Sequence, residues 1–269
     1  MVPYSSMLDV PRPVVQYVAR LLASHRRRLG TPSGSRALDP FRQAVLVLRW
    51  FRDHTCVHCL ARDAGISQAT GYRYVNEGID VLAARAPKLS QVLHRCLTAE
   101  MPFVVLDGTL IECDRVAGTT ERGNDLWYSG KGHRFAGNIQ FIAAPDGTPL
   151  WVSAVEPGSV HDLSAARIHA LPALYQAARD GLPTIADIGY IGAGKGIHVP
   201  FRRHPDLPGN IGTDNRTHNR LLRGLRFQGE RAMAELKQRW RTLHHITLSP
   251  NRIGAITQAA LVLNNAWQS

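Results

Sequence analysis

The chain has 269 residues, 44% of them hydrophobic, which suits one large domain or a small one plus a medium one, with length enough to bury a core. Its 32 Lys and Arg against 21 Asp and Glu leave a net charge of +11, and such an excess points to a polyanionic partner, because phosphate neutralisation dominates nucleic-acid affinity. No apolar run reaches membrane-spanning length, the N-terminus lacks a signal-peptide core, and four cysteines make no disulfide framework, so membrane and disulfide-scaffold classes are excluded and a cytoplasmic, nucleoid-associated protein is expected.

Residues 11–28 read as a helix, with Val14, Val15, Val18, Leu21 and Leu22 at helical spacing. It ends in Arg26-Arg27-Arg28, either a solvated helix end favoured by the macrodipole or a phosphate contact. After a turn-rich linker, Asp39-Pro40 supplies an N-cap and a first-turn proline for a helix through Phe41–Asp53, with Ala44, Val45, Leu48 and Phe51 facing inward. Thr55 is expected to cap the next element. Residues 57–76 then follow a helix-turn-helix pattern: Ala61 where two helices cross closely, Gly65 in the turn, Ile66 as anchor and Ser67 as cap. The second helix would expose Gln68, Thr70 and Arg73 to DNA. Gly71 stands where a branched apolar residue is more usual. Cys56-Val-His-Cys59 has the spacing of half a zinc site, but no second half follows, and core packing is the reading taken.

After a connecting helix at 86–101 the composition changes. Phe103–Leu106 is a buried strand ending at Asp107-Gly108-Thr109, with Leu110-Ile111 continuing it after a twist. Ala136–Ala144 and Pro149–Val155 form a hairpin about the turn Pro145–Thr148. Asp162 caps a helix running through Leu174, and Thr184–Ala186 is a short strand that ends at Asp187. The order strand, strand, strand, helix, strand, helices is that of an RNase H-like core, a mixed sheet flanked by helices. The fold class expected is therefore α/β, with a small all-α helix-turn-helix domain in front. The boundaries expected are 1–38 for an N-terminal helix and linker, 39–100 for the helix-turn-helix region and 101–269 for the α/β domain.

In that order the first and fourth strands lie side by side, so Asp107 and Asp187 project near the centre of the sheet. Two carboxylates that close repel unless a cation lies between them, the logic of a hard-metal site. A third acid is expected from 220–243, where Glu230 and Glu235 are available. At about 100° per residue Leu222, Met233, Leu236, Trp240 and Leu243 share one face. Glu230 lies at its edge beside Arg223, Arg226 and Lys237, whereas Glu235 points nearly opposite. Surface ion pairing is the plainer alternative for that stripe.

With these stretches in hand, VVLDGTLIECDR (104–115), YSGKGHRFAGNIQFIAAPDGTPLW (128–151), PGSVHDLSAAR (157–167), ADIGY (186–190) and GERAMAELK (229–237), the chain resembles the DDE-superfamily transposases of bacterial insertion sequences, in the insertion-sequence-five branch related to Harbinger elements. The likeness spans roughly 40–265. The family signature Tyr-x2-Arg-x3-Glu-x6-Lys falls on Arg226, Glu230 and Lys237, with Arg223 in the tyrosine position. The resemblance implies a metal-dependent transposase that cleaves DNA strands at element ends and joins them to target DNA. Asp107, Asp187 and Glu230 would then hold two Mg²⁺ ions, with Mn²⁺ as a substitute, while Arg223, Arg226 and Lys237 contact DNA. It also implies double-stranded DNA as partner, as terminal inverted repeats and target, and a homodimer or larger synaptic assembly. From 200 to 252 there are 11 Lys or Arg against 4 Asp or Glu, in keeping with a DNA-facing segment.

Other motifs compete. Gly189–Lys195 nearly spells a phosphate-binding loop, but Gly196 stands where the magnesium-binding hydroxyl belongs and no helical pattern follows, so nucleotide binding is not expected. His161-Asp162 has the look of a phosphohydrolase dyad without its all-helical surroundings, which leaves open a metal contact by Asp162. Lys131, His133 and Arg134 are either a surface run or part of the DNA path. The rival functions are a DNA-binding regulator without catalysis and an RNase H-like nuclease that cuts without joining.

Overall fold

The computed structural model describes residues 8–202 and 212–268, apart from the side chains of Gln228 and Glu230. The chain divides into two compact units, Met1–Ala86 with Lys237–His244 and Ala255–Ser269, and Pro87–Leu236 with His245–Gly254. No helix among the described residues is long and apolar enough to cross a membrane.

The first unit begins with four helices, α1 (Arg12–Arg28), α2 (Pro40–Asp53), α3 (Val57–Asp63) and α4 (Gln68–Ala83). Asp39 caps α2 as its sequence requires, its carboxylate accepting from the amides of Phe41 and Arg42 at 2.8 and 2.9 Å. Helix α3 starts one residue later than expected: Cys56, not Thr55, is the N-cap, and no side chain caps it. Cys56 is consequently exposed and Cys59 half-exposed, so core packing does not describe that pair. Between α3 and α4 the chain turns through Gly65 at φ 67°, a left-handed conformation that favours glycine, and Ser67 Oγ accepts from the amide of Thr70. Ala61 packs against Gly71, where an added Cβ would lie 3.0 Å from that of Ala61 and 3.3 Å from Val57 Cγ1. The missing branched residue thus has a reason, since the crossing leaves no space for one.

Arg26 is drawn inside this unit. It donates to Gln43 Oε1 at 2.5 Å and to the carbonyl of Leu38 at 3.0 Å, while Gln43 and Arg36 converge on Glu77. Of the two readings of the arginine run, neither fits Arg26, which straps α1 to α2.

The second unit is a mixed α/β fold with a central sheet and flanking helices. Helix α5 (Leu89–Thr98) leads into β1 (Val104–Cys113), which runs unbroken through Leu110-Ile111. Short β2 (Tyr128–Ser129), then β3 (Arg134–Ala143) and β4 (Pro149–Pro157), add antiparallel strands. The crossover is two helices rather than one, α6 (Asp162–His169) and α7 (Leu171–Arg179), broken where Pro172 enters the first turn of α7. It returns the chain to β5 (Thr184–Ala186), parallel to β1, and β6 (Ile197–His198) pairs parallel to β5. After α8 (Thr213–Arg239), whose last residues from Lys237 belong to the first unit, β7 (His245–Ile246) adds to the far end of β1, and α9 (Ile253–Gln268) belongs from Ala255 onward to the first unit. The order β4-β3-β1-β5-β6 puts β1 at the centre, which explains why Val104, Val105 and Leu106 form an uninterrupted apolar run. Leu106, Ile142, Ala166, Leu171, Leu174 and Ala186 share one core with Leu93 and Cys96 of α5.

Candidate active site

Strand register brings the first two acids together. The last parallel pair of β1 and β5 is Leu106 with Ala186, so Asp107 and Asp187 are the next residues of two neighbouring strands. Adjacent strands lie about 4.8 Å apart, and in-register parallel residues project to the same side, so the two carboxylates converge without any long-range adjustment. Each is held by the backbone that follows it. Asp107 Oδ1 accepts from the amide of Gly108 at 2.8 Å, and Asp187 Oδ1 accepts from the amide of Gly189 at 2.7 Å. Asp187 is therefore also the cap of the short turn Ile188–Tyr190. Being a turn residue and being a site residue do not conflict here.

The remaining oxygens face one cation. Arg226 Nη2 on α8 lies 3.6 Å from Asp107 Oδ2 and 4.0 Å from Asp187 Oδ2. Burial pushes the Asp107 carboxyl up to about 6; the Gly108 amide and Arg226 oppose this, while Asp187 and Asp162 reinforce it. The site therefore carries a real electrostatic cost that positive charge between the two Oδ2 atoms relieves.

A third carboxylate sits behind this pair. Asp162 is the first residue of α6, not its N-cap; that position is His161, whose side chain makes no capping bond. The Asp162 side chain is instead committed to the sheet: Oδ1 accepts from Asn138 Nδ2 at 2.8 Å and Oδ2 from Lys131 Nζ at 2.9 Å. Asn138 Oδ1 accepts from Gln140 Nε2 at 2.9 Å, and Gln140 Oε1 accepts from the Tyr190 hydroxyl at 2.7 Å. Burial raises the Tyr190 pKa far above its ordinary value, and Asp162, Asp107 and Asp187 each add to the rise, so this phenol stays a donor beneath all three acids. This relay was passed over in the sequence. Its signal was there, in Asn138 and Gln140 two apart on the buried strand AGNIQFIAA, where polar residues on one face demand partners.

The other expected site residues are distributed as follows. Glu230 lies on α8, with its side chain outside the described residues. Glu235, the rejected alternative, is exposed and pairs with Arg231 at 2.9 Å. Arg223 is exposed on α8, and Lys237 is half-buried on the same helix. Gln68 and Arg73 are exposed on α4 and Thr70 is half-buried, with Gln68 bonded to His58 and Arg73 Nη2 donating to Thr70 Oγ1 at 2.9 Å. The Gly189–Lys195 stretch leads into β6 with no helix after it, so the amides of a helix N-terminus are lacking there.

Among the described residues no group of three His, Cys, Asp or Glu side chains is arranged to hold a metal ion. Asp107 and Asp187 form a pair that fits one: hard oxygen donors, each with one oxygen fixed by backbone and the other turned to a shared cation.

No curated protein and no solved structure matches the chain. The family model described as DDE superfamily endonuclease matches residues 106–265, which contain Asp107, Asp162, Asp187 and all of α8. With more than half its length inside that match, and paired acids at the ends of adjacent central strands, the chain belongs to the DDE superfamily endonucleases.

Proposed function

We propose that this endonuclease is a transposase, of the insertion-sequence-five type, that cleaves DNA at the ends of a mobile element and joins the freed ends to target DNA. The observation that carries the proposal is the convergence of Asp107 and Asp187 with their Oδ2 atoms toward one guanidinium. The sheet order, with antiparallel β3 and β4 on one side of β1 and parallel β5 on the other, supports an RNase H-like reading of the core. The helix pair α3–α4, with Gln68 and Arg73 exposed, supports a helix-turn-helix that binds terminal repeats.

In this mechanism Asp107 and Asp187, with Glu230 as third acid, hold divalent magnesium or manganese. The bound metal supplies activation of the attacking oxygen and stabilisation of the leaving one. The protein's own part is orientation and charge. The Gly108 and Gly189 amides aim the two carboxylates, so their geometry is set before substrate arrives. Arg226 balances their charge and, as an exchangeable partner, can turn to a phosphate oxygen when the strand enters. Arg223 and Lys237 extend the cationic character of α8 along the DNA. A second copy of the chain would bring the other element end.

The test uses labelled duplexes carrying the repeats that flank the coding sequence, with Mg²⁺ and a target plasmid. Cleavage followed by joining is expected, and Glu230→Gln is expected to bind the ends without cutting them. Binding without cleavage by the wild-type chain would favour a regulator, and cleavage without joining a simple nuclease. Full activity in Glu230→Gln would remove that residue from the site.

A further inference from the structure

Helix α8 crosses the sheet on the face to which Asp107 projects. A Cβ added to its Gly229 would lie 2.6 Å from Cγ1 of Val105, which stands two residues before Asp107 on β1 and so on the same side of the strand. Residues seven apart share one face of a helix, and Asn219, Arg226 and Met233 recur at that interval, with Arg223 beside them. Met233 is buried, and Arg226 reaches the two acids. Asn219 continues this stripe about 10 Å along the axis from Arg226, at about 1.5 Å per residue.

Asn219 spends its whole amide on one residue. Its Oδ1 accepts from the amide of Phe201 at 2.8 Å, and its Nδ2 donates to the carbonyl of Phe201 at 2.9 Å. One side chain thus takes both backbone groups of a residue beyond the end of β6, as a neighbouring strand would. His218 supports the ring, with centroids 5.0 Å apart and planes tilted by 54°. Phe201 is nevertheless 49% exposed. A single exposed apolar residue needs no explanation. This one is clamped in place from the stripe that carries Arg226, which makes it a rigid apolar face at a fixed distance from the acids.

We propose that Phe201 is a stacking platform for one base of the DNA strand that enters the Asp107–Asp187 site, and that Asn219 is the positioning residue that holds it there. The proposal rests on the DNA-cleaving reading above. Charge and shape favour this occupant. Arg223 is exposed between Arg226 and Asn219 on the stripe, so a strand led along it has cations for its phosphates on the way to the ring. The distance of about 10 Å from Arg226 to Asn219 is about three base steps of about 3.4 Å. Every base offers a π-face to a phenyl ring, so the contact takes an unpaired base without reading its identity.

The experiment is a thermodynamic cycle between the full chain and its DNA. Affinity is measured in Ca²⁺ for a terminal-repeat duplex with a short single-stranded extension, and for copies made abasic at one nucleotide at a time around the cleavage point. For the wild type, one abasic position about three nucleotides from the cleaved phosphate should weaken binding about 5–150-fold, the range for one base stacked on an aromatic side chain. Phe201→Ala should bind the intact DNA more weakly by the same factor and lose the abasic penalty at that position, while Phe201→Trp keeps both. Asn219→Ala should shrink the penalty at that position and leave the penalties elsewhere and the salt dependence of binding unchanged. Thermal unfolding of Phe201→Ala should change little, because its ring is already half exposed. An abasic scan that Phe201→Ala leaves unaltered overturns the proposal, as does a uniform loss with every DNA. Dissociation of a DNA-free dimer by Phe201→Ala would assign the ring to a second copy of the chain and overturn it as well. A wild-type chain that binds no terminal-repeat DNA overturns the DNA-cleaving reading itself, whereas one that cleaves while its abasic scan is flat overturns the platform alone.

Discussion

Asp107 has an ordinary carboxyl value of 3.8 and a folded value of about 6, raised chiefly by burial. Between about pH 4 and 6 the unfolded chain gives up a proton that the folded chain keeps. Stability therefore falls as pH rises through that window, and the full penalty is present above it. A rise of that size corresponds to about 3 kcal/mol at most. In metal-free buffer, Asp107→Asn is expected to stabilise the chain by about 1–3 kcal/mol at pH 7.5, a gain that disappears below pH 4. Urea denaturation across pH reads this directly, and added Mg²⁺ should narrow the difference by stabilising the wild type. Tyr190→Phe tests the relay beneath the acids. Losing the hydroxyl strands the buried Gln140 Oε1, so thermal unfolding should register a loss of about 1–3 kcal/mol. The adjacency of Asp107 and Asp187 was legible at the residue scale, because each directly follows a short apolar strand segment. The relay was not, because Gln140 and Tyr190 are fifty positions apart and only the fold makes them neighbours.

At the scale of elements, the order of β1, β3, β4 and β5 could be read because those four strands announce themselves by apolar pattern and turn residues, whereas β2, β6 and β7 are two residues each and too short to carry a pattern. The parallel pairing of β1 and β5 followed from the crossover between them. What escaped were boundaries set by backbone geometry. Asp162 looks like a cap and stands one residue inside α6; Thr55 looks like a cap and stands one residue outside. Pro172 splits the crossover helix, a break its sequence offered and its apolar spacing concealed. The α3–α4 crossing gives an element-scale prediction. Gly71→Val would drive side-chain atoms into Ala61 and Val57, at an expected cost of about 1–3 kcal/mol. If α3–α4 reads terminal repeats, affinity for them should fall together with the melting temperature, while a milder change on the exposed face, Arg73→Ala, should lower affinity and leave melting unchanged.

For the whole molecule, the net charge of +11 is the first clue and the least specific, since any polyanion satisfies it. Specificity comes from where two negative charges have been placed against that background, at the ends of two central strands with their outward oxygens facing one cation. The family match covers that site and α8 behind it. The most direct test of a metal site there is Mn²⁺ binding to the full chain bound to terminal-repeat duplex, followed by paramagnetic resonance for the wild type, Asp107→Asn and Asp187→Asn. Both variants are expected to keep the duplex and lose most of the bound Mn²⁺. Undiminished Mn²⁺ binding in both variants would contradict the placement of the site.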